Sequence, residues 1–396
     1  MKFAHFSDLH LGAWNNDPDL KDMPIKALEK CIEKCMEEKV GFVVIAGDLF
    51  DTALPSIETV NECAKQLRKL KDRNIRIYVI PGSHDFSPTG KTMISVLENT
   101  GLIVNVCKMK ENGECTELFM THDSSGISLT GLLARRNALE AKYYSNLKVP
   151  EANGYSIFVL HSAIQEYMPS HLKSLSTAVS LSKLPKGFNY YANGHVHVHF
   201  EDAENKMFFP GPLFPASFDE LEKYESGFFI VSAENEETNH KWISNKLFDV
   251  IKININADNK TSFVVQQEIE EKIEQEDVKE KLILIELKGT LESGKPSDIN
   301  FKQVFSKAKE RGAISLKKSI SKLTTKEFQE VEISQESSEE IEKNIIKKHL
   351  GQNNIFENEL DVITGLIRTM KDERQEEATL SYNERMLREA KNILGL

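Results

Sequence analysis

The chain has 396 residues, 40% of them hydrophobic and 28% charged, with a formal net charge of −11. That length allows two or three domains around substantial cores, and the composition excludes an intrinsically disordered chain. No stretch of 18 apolar residues occurs, which excludes a bilayer-spanning helix, and the first strand starts too early to leave room for a signal peptide, so a cytoplasmic protein is expected.

Apolar runs that read as buried strands occupy Lys2–Phe6, Phe42–Ala46, Ile75–Ile80, Tyr155–Leu160 and Phe188–Ala192. Pro24–Lys39 reads as a helix, and Ser56–Leu70 as a second with Ser56 as its N-cap. Phe209–Pro212 is a turn and Gly227–Val231 a closing strand. This alternation, over residues 1 to about 232, marks a layered α/β domain. Each of the five buried strands ends in side chains that bind metals. The sets are Asp8-Leu9-His10, Gly47-Asp48, Gly82-Ser83-His84-Asp85, His161 and Gly194-His195-Val196-His197. Residues two apart on a strand face the same way, so Asp8 can join His10, and His195 can join His197. A lone Asp-x-His is weak evidence. Five sets in order at strand ends point to two divalent ions at one sheet edge, a device for hydrolysing phosphate esters.

A second unit follows between about 240 and 330. Ile251, Ile253 and Ile255 alternate with polar residues as a half-buried strand, Leu282–Leu287 and Ala313–Leu316 read as strands, and Ile299–Lys309 as a helix. The result is a small α+β module. All twelve prolines lie at or before Pro296, so none breaks the helical tail. After a polar, acidic linker at Ser334–Glu340, apolar stripes run through Ile341, Ile345 and Ile346, through Phe356, Leu360, Ile363, Ile367 and Met370, and through Met386, Leu387, Ala390, Ile393 and Leu394. Single-striped helices need cover, either from this chain or from a partner's helix or coiled coil.

The net negative charge counts against a phosphate-binding partner. Two stretches account for most of it: Glu268–Glu280 has seven acidic residues against two lysines, and Glu330–Lys343 six against one. Cys31, Cys35 and Cys63 read as small core side chains of a reducing compartment, while Cys107 and Cys115 lack zinc-knuckle spacing. Gly90-Lys91-Thr92 is no phosphate loop, since the required earlier glycine is Asp85. Arg135, Arg136 and Lys142 stay open between a nucleic-acid contact and a solvated patch. Phe86, Tyr190 and Tyr191 read first as core aromatics, and His199 as an ordinary polar residue.

The string Phe6-Ser7-Asp8-Leu9-His10-Leu11-Gly12, Gly47-Asp48-Leu49-Phe50-Asp51, Gly82-Ser83-His84-Asp85, Leu160-His161-Ser162-Ala163 and Ala192-Asn193-Gly194-His195-Val196-His197 resembles that of the calcineurin-like metallophosphoesterases. Within them it is similar to the double-strand-break repair nucleases of the Mre-eleven/SbcD type. The segments particular to that branch are His161–Pro169, Leu181-Ser182-Lys183-Leu184-Pro185 and Pro210-Gly211-Pro212-Leu213. The resemblance is strong over residues 1–230, fainter over 240–330 and architectural in the tail.

That resemblance implies a four-layer αββα sandwich over 1–232, a small α+β DNA-capping domain over 240–330 and a helical tail over 335–396. The tail would bind an SMC-like coiled-coil ATPase of the Rad-fifty/SbcC type. Asp8, His10, Asp48 and His197 would hold one metal, and Asp48, His161 and His195 the other, with Asp48 bridging. Manganese is expected, with iron or zinc as competitors. His84 would be catalytic, stabilising the phosphorane-like state or protonating the departing 3′ oxygen, and Asp85 would orient His84 or the nearby backbone. Ser83 departs from the pattern, because the family usually has an asparagine there whose oxygen ligates the second metal. A hydroxyl is shorter and a weaker donor, so Ser83 ligates directly, acts through water or leaves a ligand missing, and the second metal is expected to bind loosely. The implied function is a manganese-dependent DNA nuclease of break repair, a 3′-to-5′ exonuclease and single-strand endonuclease working as a homodimer at the nucleoid. Ile57, Val60, Leu67, Met93, Ile94 and Leu97 would offer apolar surface for the dimer. The alternatives are a phosphodiesterase of small molecules and a DNA-end scaffold that cuts weakly.

Overall fold

The structure is a computed structural model that describes residues 1–87, 92–113, 115–152, 154–168, 178–234, 237–326, 359–370 and 379–394. Two six-stranded sheets lie face to face within residues 1–244. In the first, Lys2–Phe6, Phe42–Ala46, Arg76–Ile80 and Val104–Asn105 run parallel and side by side. Gly227–Glu234 is antiparallel to the first of these, and Glu237–Ser244 pairs antiparallel with it in turn. Phe42–Ala46 is buried at every position, as expected for a strand covered on both faces. In the second sheet Ser128–Gly131, Ser156–Val159, Tyr190–Ala192 and Met207–Phe209 form the parallel centre.

Aromatic side chains fill the space between the sheets. Phe3 stacks on Phe42 with centroids 5.0 Å apart, and Tyr190 on Phe208 at 4.4 Å; such pairs add roughly 0.5–1.5 kcal/mol beyond their area burial. The outer face of the first sheet is covered by the helices Met23–Glu37 and Ile57–Lys71, which contribute Leu28, Cys31, Ile32, Cys35, Cys63 and Leu67 to the core. Ser56 caps the second helix, its hydroxyl oxygen accepting from Thr59 N at 3.1 Å. A 3₁₀ segment, Arg136–Asn146, covers the second sheet and packs Tyr143 and Tyr144 against Phe158 and Phe188. The result is a four-layer sandwich with a thin fourth layer. Tyr190 and Tyr191 belong to its core, and His199 stacks on Trp242 instead of joining the site.

The chain divides into two compact units, Met1–Thr325 and Lys326–Leu396. The first unit ends in a three-stranded parallel sheet of Asp249–Asn256, Lys281–Leu291 and Ser315–Thr325. Parallel neighbours need crossovers, which the helices Ser262–Gln275 and Phe301–Glu310 supply. The helix Ser262–Gln275 was not expected. Its apolar positions Val265, Ile269 and Ile273 are buried, but its acidic residues read as one charged stretch with those beyond it. Strand Glu237–Ser244 falls at the seam of the expected division, yet it extends the first sheet. Leu282 and Leu284 belong to the same core cluster as Leu28, Cys31 and Ile32, joining the module to the first sheet's helices.

In the second unit the helices Glu359–Met370 and Thr379–Leu394 pack together where Gly365 meets Ile393. The linker at 334–340, the stripe at 341–346 and Phe356 lie outside the described residues, as do Gly90, Lys91 and Pro169. Among the described residues, no helix is long and apolar enough to cross a membrane.

Candidate metal centre

Five loops meet at the C-terminal ends of the central parallel strands, three from the first sheet and two from the second. Convergence does not come from strand pleating, as the two-residue spacing implied. Asp8, His10, Asp48, His195 and His197 all have positive φ, at 52°, 42°, 50°, 84° and 51°. Left-handed turns leaving Lys2–Phe6, Phe42–Ala46 and Tyr190–Ala192 aim these side chains inward. Non-glycine residues rarely adopt that geometry, at roughly 1–3 kcal/mol each, and such strain gathers at functional sites. Glycine permits the close approach: a Cβ on Gly47, itself at φ 85°, would collide with the His161 ring, and one on Gly82 with Asp48.

Donor atoms of Asp8, His10, Asp48 and His197 lie within 4.8 Å of one another. His10 Nε2 and His197 Nε2 face each other at 2.9 Å. His197 Nε2 is 3.4 Å from Asp8 Oδ1, and His10 Nε2 is 3.7 Å from Asp48 Oδ2. On the other side of Asp48, His161 Nε2 stands 3.0 Å from Oδ2. That approach is off the hydrogen-bonding direction, so this fully buried nitrogen has no hydrogen-bond partner. The His195 ring lies 5.2 Å from that of His161, centroid to centroid. Two buried carboxylates, facing imidazole nitrogens and an orphaned buried nitrogen fit a divalent ion better than they fit each other. The donor set passes as a metal site.

Charge balance at the site follows from burial set against pairing. Burial disfavours the ionised carboxylates of Asp8 and Asp48, but the imidazoles around them outweigh it and hold both well below the usual range. Burial likewise disfavours cationic His161 and His197. Asp48 and Asp8 still raise His161 to about 9, and Asp8 and Glu220 raise His197 to about 11. Burial, aided by His161, lowers His195 to about 4.

The remaining expected residues surround this set. Ser83 lies half-buried on the turn between Gly82 and His84. His84 is exposed; its N–H donates to Asp48 Oδ1 at 2.8 Å, its Nδ1 lies 2.7 Å from Asp51 O, and its ring meets that of His10 edge-on. Asp85 is buried and reaches the backbone, not His84, accepting from Gly82 N, Leu49 N and Phe50 N at 3.0–3.1 Å. Burial and the neighbouring Asp48 push its carboxyl up to about 6. It fastens the Asp48 loop to the Ser83 loop. Two contacting carboxylates were not singled out from the sequence: Asp51, whose Oδ1 is 3.2 Å from His10 Nδ1, and Glu220, whose Oε1 is 3.1 Å from His197 Nδ1. Asp51 closes a quoted motif, whereas Glu220 lies outside all of them, and only the cap signature Ser217-x-x-Glu220 hinted at a helix start there.

This sandwich, with metal-binding side chains at its strand ends, defines a phosphoesterase. A family model described as calcineurin-like phosphoesterase matches residues 1–199, and the chain belongs to that family. Family and donor set together imply an enzyme that uses divalent metal. The chain is also similar to proteins named DNA double-strand break repair protein Mre11. It is 32% identical over 209 residues to the one from Archaeoglobus fulgidus, covering 50% of this chain and 46% of that one. For the one from Methanopyrus kandleri the figures are 29% over 252 residues, with 58% and 54% covered. For the one from Sulfolobus acidocaldarius they are 28% over 306 residues, with 74% and 76% covered. The chain spans about half the length of the first two relatives.

Proposed function

We propose that this protein is a manganese-dependent DNA nuclease of double-strand-break repair, a 3′-to-5′ exonuclease with single-strand endonuclease activity. The observation that supports it most is the convergence of Asp8, His10, Asp48, His161, His195 and His197 on one rim, in a chain similar to Mre11 proteins. Asp8, His10, Asp48 and His197 would hold one ion, and Asp48, His161, His195 and Ser83 the other. Such a pair supplies charge neutralisation at the phosphate and an activated water. His84 is placed to serve the leaving group: Asp51 O fixes its Nδ1, and Nε2 is left to stabilise the transition state or protonate the departing 3′ oxygen. Asp85 holds both flanking loops through their amides.

In this reading the protein works at DNA inside the cell. Residues 1–232 form the nuclease domain, residues 240–330 cap the DNA, and the tail over 335–396 docks an SMC-like ATPase of the Rad-fifty/SbcC type. A homodimer is part of the proposal. Of the six residues expected at its contact, Leu67, Ile94 and Leu97 are buried within the chain, whereas Ile57 is 89% exposed and has Leu54, 74% exposed, near it in sequence. Labelled single- and double-stranded DNA incubated with manganese, beside a nitrophenyl phosphodiester and with an Asp48→Ala protein as blank, tests the activity. Shortened DNA from the wild-type chain alone is the expected result. Cleavage of only the small ester indicates a small-molecule phosphodiesterase. Intact DNA that is nevertheless bound indicates a scaffold.

A further inference from the structure

The histidines of the centre are backed in different ways. His161 Nδ1 is held by a backbone carbonyl, Ala46 O, at 2.8 Å. His197 Nδ1 instead meets a carboxylate, Glu220 Oε1, at 3.1 Å, and its Nε2 is thereby turned toward Asp8 and His10. Glu220 comes from outside the five strand-end loops, on the short helix Phe218–Lys223. It is itself fixed: Oε2 accepts from Ala216 N at 2.9 Å and Oε1 from Ser217 Oγ at 3.0 Å. Ser217 in turn caps the helix by accepting from Glu220 N at 3.3 Å.

We infer that Glu220 is a positioning residue for the metal shared by Asp8, His10, Asp48 and His197, an inference that rests on the two-metal reading above. A carboxylate on Nδ1 keeps that proton in place, locks the tautomer whose Nε2 lone pair faces the ion, and makes that nitrogen a stronger donor. His10 has the matching arrangement through Asp51 Oδ1 at 3.2 Å, so both imidazoles of this site are backed by negative charge. The ion held with His161 has a carbonyl in hydrogen-bond contact behind that imidazole, and the nearest carboxylate there, Asp8 Oδ1, stands off at 3.9 Å. The imidazoles of the two sites therefore differ in how they are backed, and Glu220 contributes to the set in direct contact with carboxylates.

The competing explanation is that Glu220 merely holds the start of its helix. Glu220→Gln separates the two, because the amide oxygen can still accept from Ala216 N and hold the start of the helix, while the charge behind His197 is gone. Full-length wild-type and Glu220→Gln proteins, stripped of metal, are titrated with manganese by calorimetry and with cobalt by visible absorption; circular dichroism checks the fold. The expected result is an unchanged fold, one of two manganese sites weakened by about 10–100-fold and a shifted cobalt spectrum, with the other site unaffected. Two manganese affinities and a cobalt spectrum identical to wild type overturn the role of Glu220 and leave the two-metal reading standing. A wild-type chain that binds neither metal overturns both.

Discussion

The rim of the first sheet and the module Asp249–Thr325 use the same parts, parallel strands joined by helical crossovers, under opposite rules. Among its described residues, the module buries Ser315 and Thr325 as its only polar side chains and fills its core with residues such as Ile253, Ile269, Ile285 and Leu287. Its charges pair near the surface, as Lys322 does with Glu286 at 2.7 Å. The rim, with the second sheet's His161, buries Asp8, His10, Asp48 and Asp85, and three of the five strand-end loops bend through left-handed turns. Buried polar groups cost free energy unless they are satisfied. The rim accepts that cost and the module avoids it, so chemistry and stability are lodged in different places.

Substitutions in the two regions should therefore have separable effects. The largest is expected at His84. Replacement by alanine should slow phosphodiester cleavage by about 10²–10⁴-fold with both metals retained, which single-turnover assays and metal analysis would check; loss of a metal instead would make His84 a ligand. Next comes the module core. Ile269→Ala removes a fully buried side chain and should cost about 2–5 kcal/mol in urea unfolding, while manganese affinity stays at the wild-type value. A coupled drop in affinity would show that the regions are not independent.

A smaller effect concerns pH. Burial lowers the His5 pKa to about 3, against the weaker pull of Asp8. The unfolded chain then takes up a proton near pH 6.5 that the folded chain refuses, so stability falls as pH drops from 6.5 toward 4. The slope approaches about 1.4 kcal/mol per pH unit for one such group. Unfolding measured at pH 4.5 and 7 should show a shallower loss for His5→Gln, and an equal loss would remove His5 from the account. The smallest change is expected for Ser83→Asn, which should tighten the weaker manganese site alone. Calorimetry that finds two equally tight sites in the wild type would refute the looseness attributed to Ser83.

Much of this was legible before any coordinates. Lys2–Phe6 and Phe42–Ala46 stand where their apolar runs place them, and Ser56 caps its helix as read. Local pattern carries that kind of information, because burial on both faces and a cap are properties of a few adjacent residues. Glu220 was hidden for the opposite reason. It lies 23 positions beyond His197 in the chain, and only the return of the chain beside the first sheet sets it behind that imidazole. The helix Ser262–Gln275 was masked by its own acidity, since charge density drew notice away from three apolar residues spaced four apart. Pleat alternation predicts that Asp8 and His10 share a face, but left-handed turns set their directions, and such turns leave no apolar pattern in the sequence.

One connection joins the contrasted regions. The segment leaving His10 bonds Trp14 Nε1 to Pro215 O at 2.8 Å and then offers Asp17 and Asp19 to the module. Lys309 holds Asp19 at 2.6 Å with help from Ser315, and Lys317 grips Asp17. The tie from the module thus reaches a chain segment whose other end, nine positions back from Asp19, is His10. Moderate salt, by screening those lysine pairs, would weaken this tie before it touched the apolar core of either region.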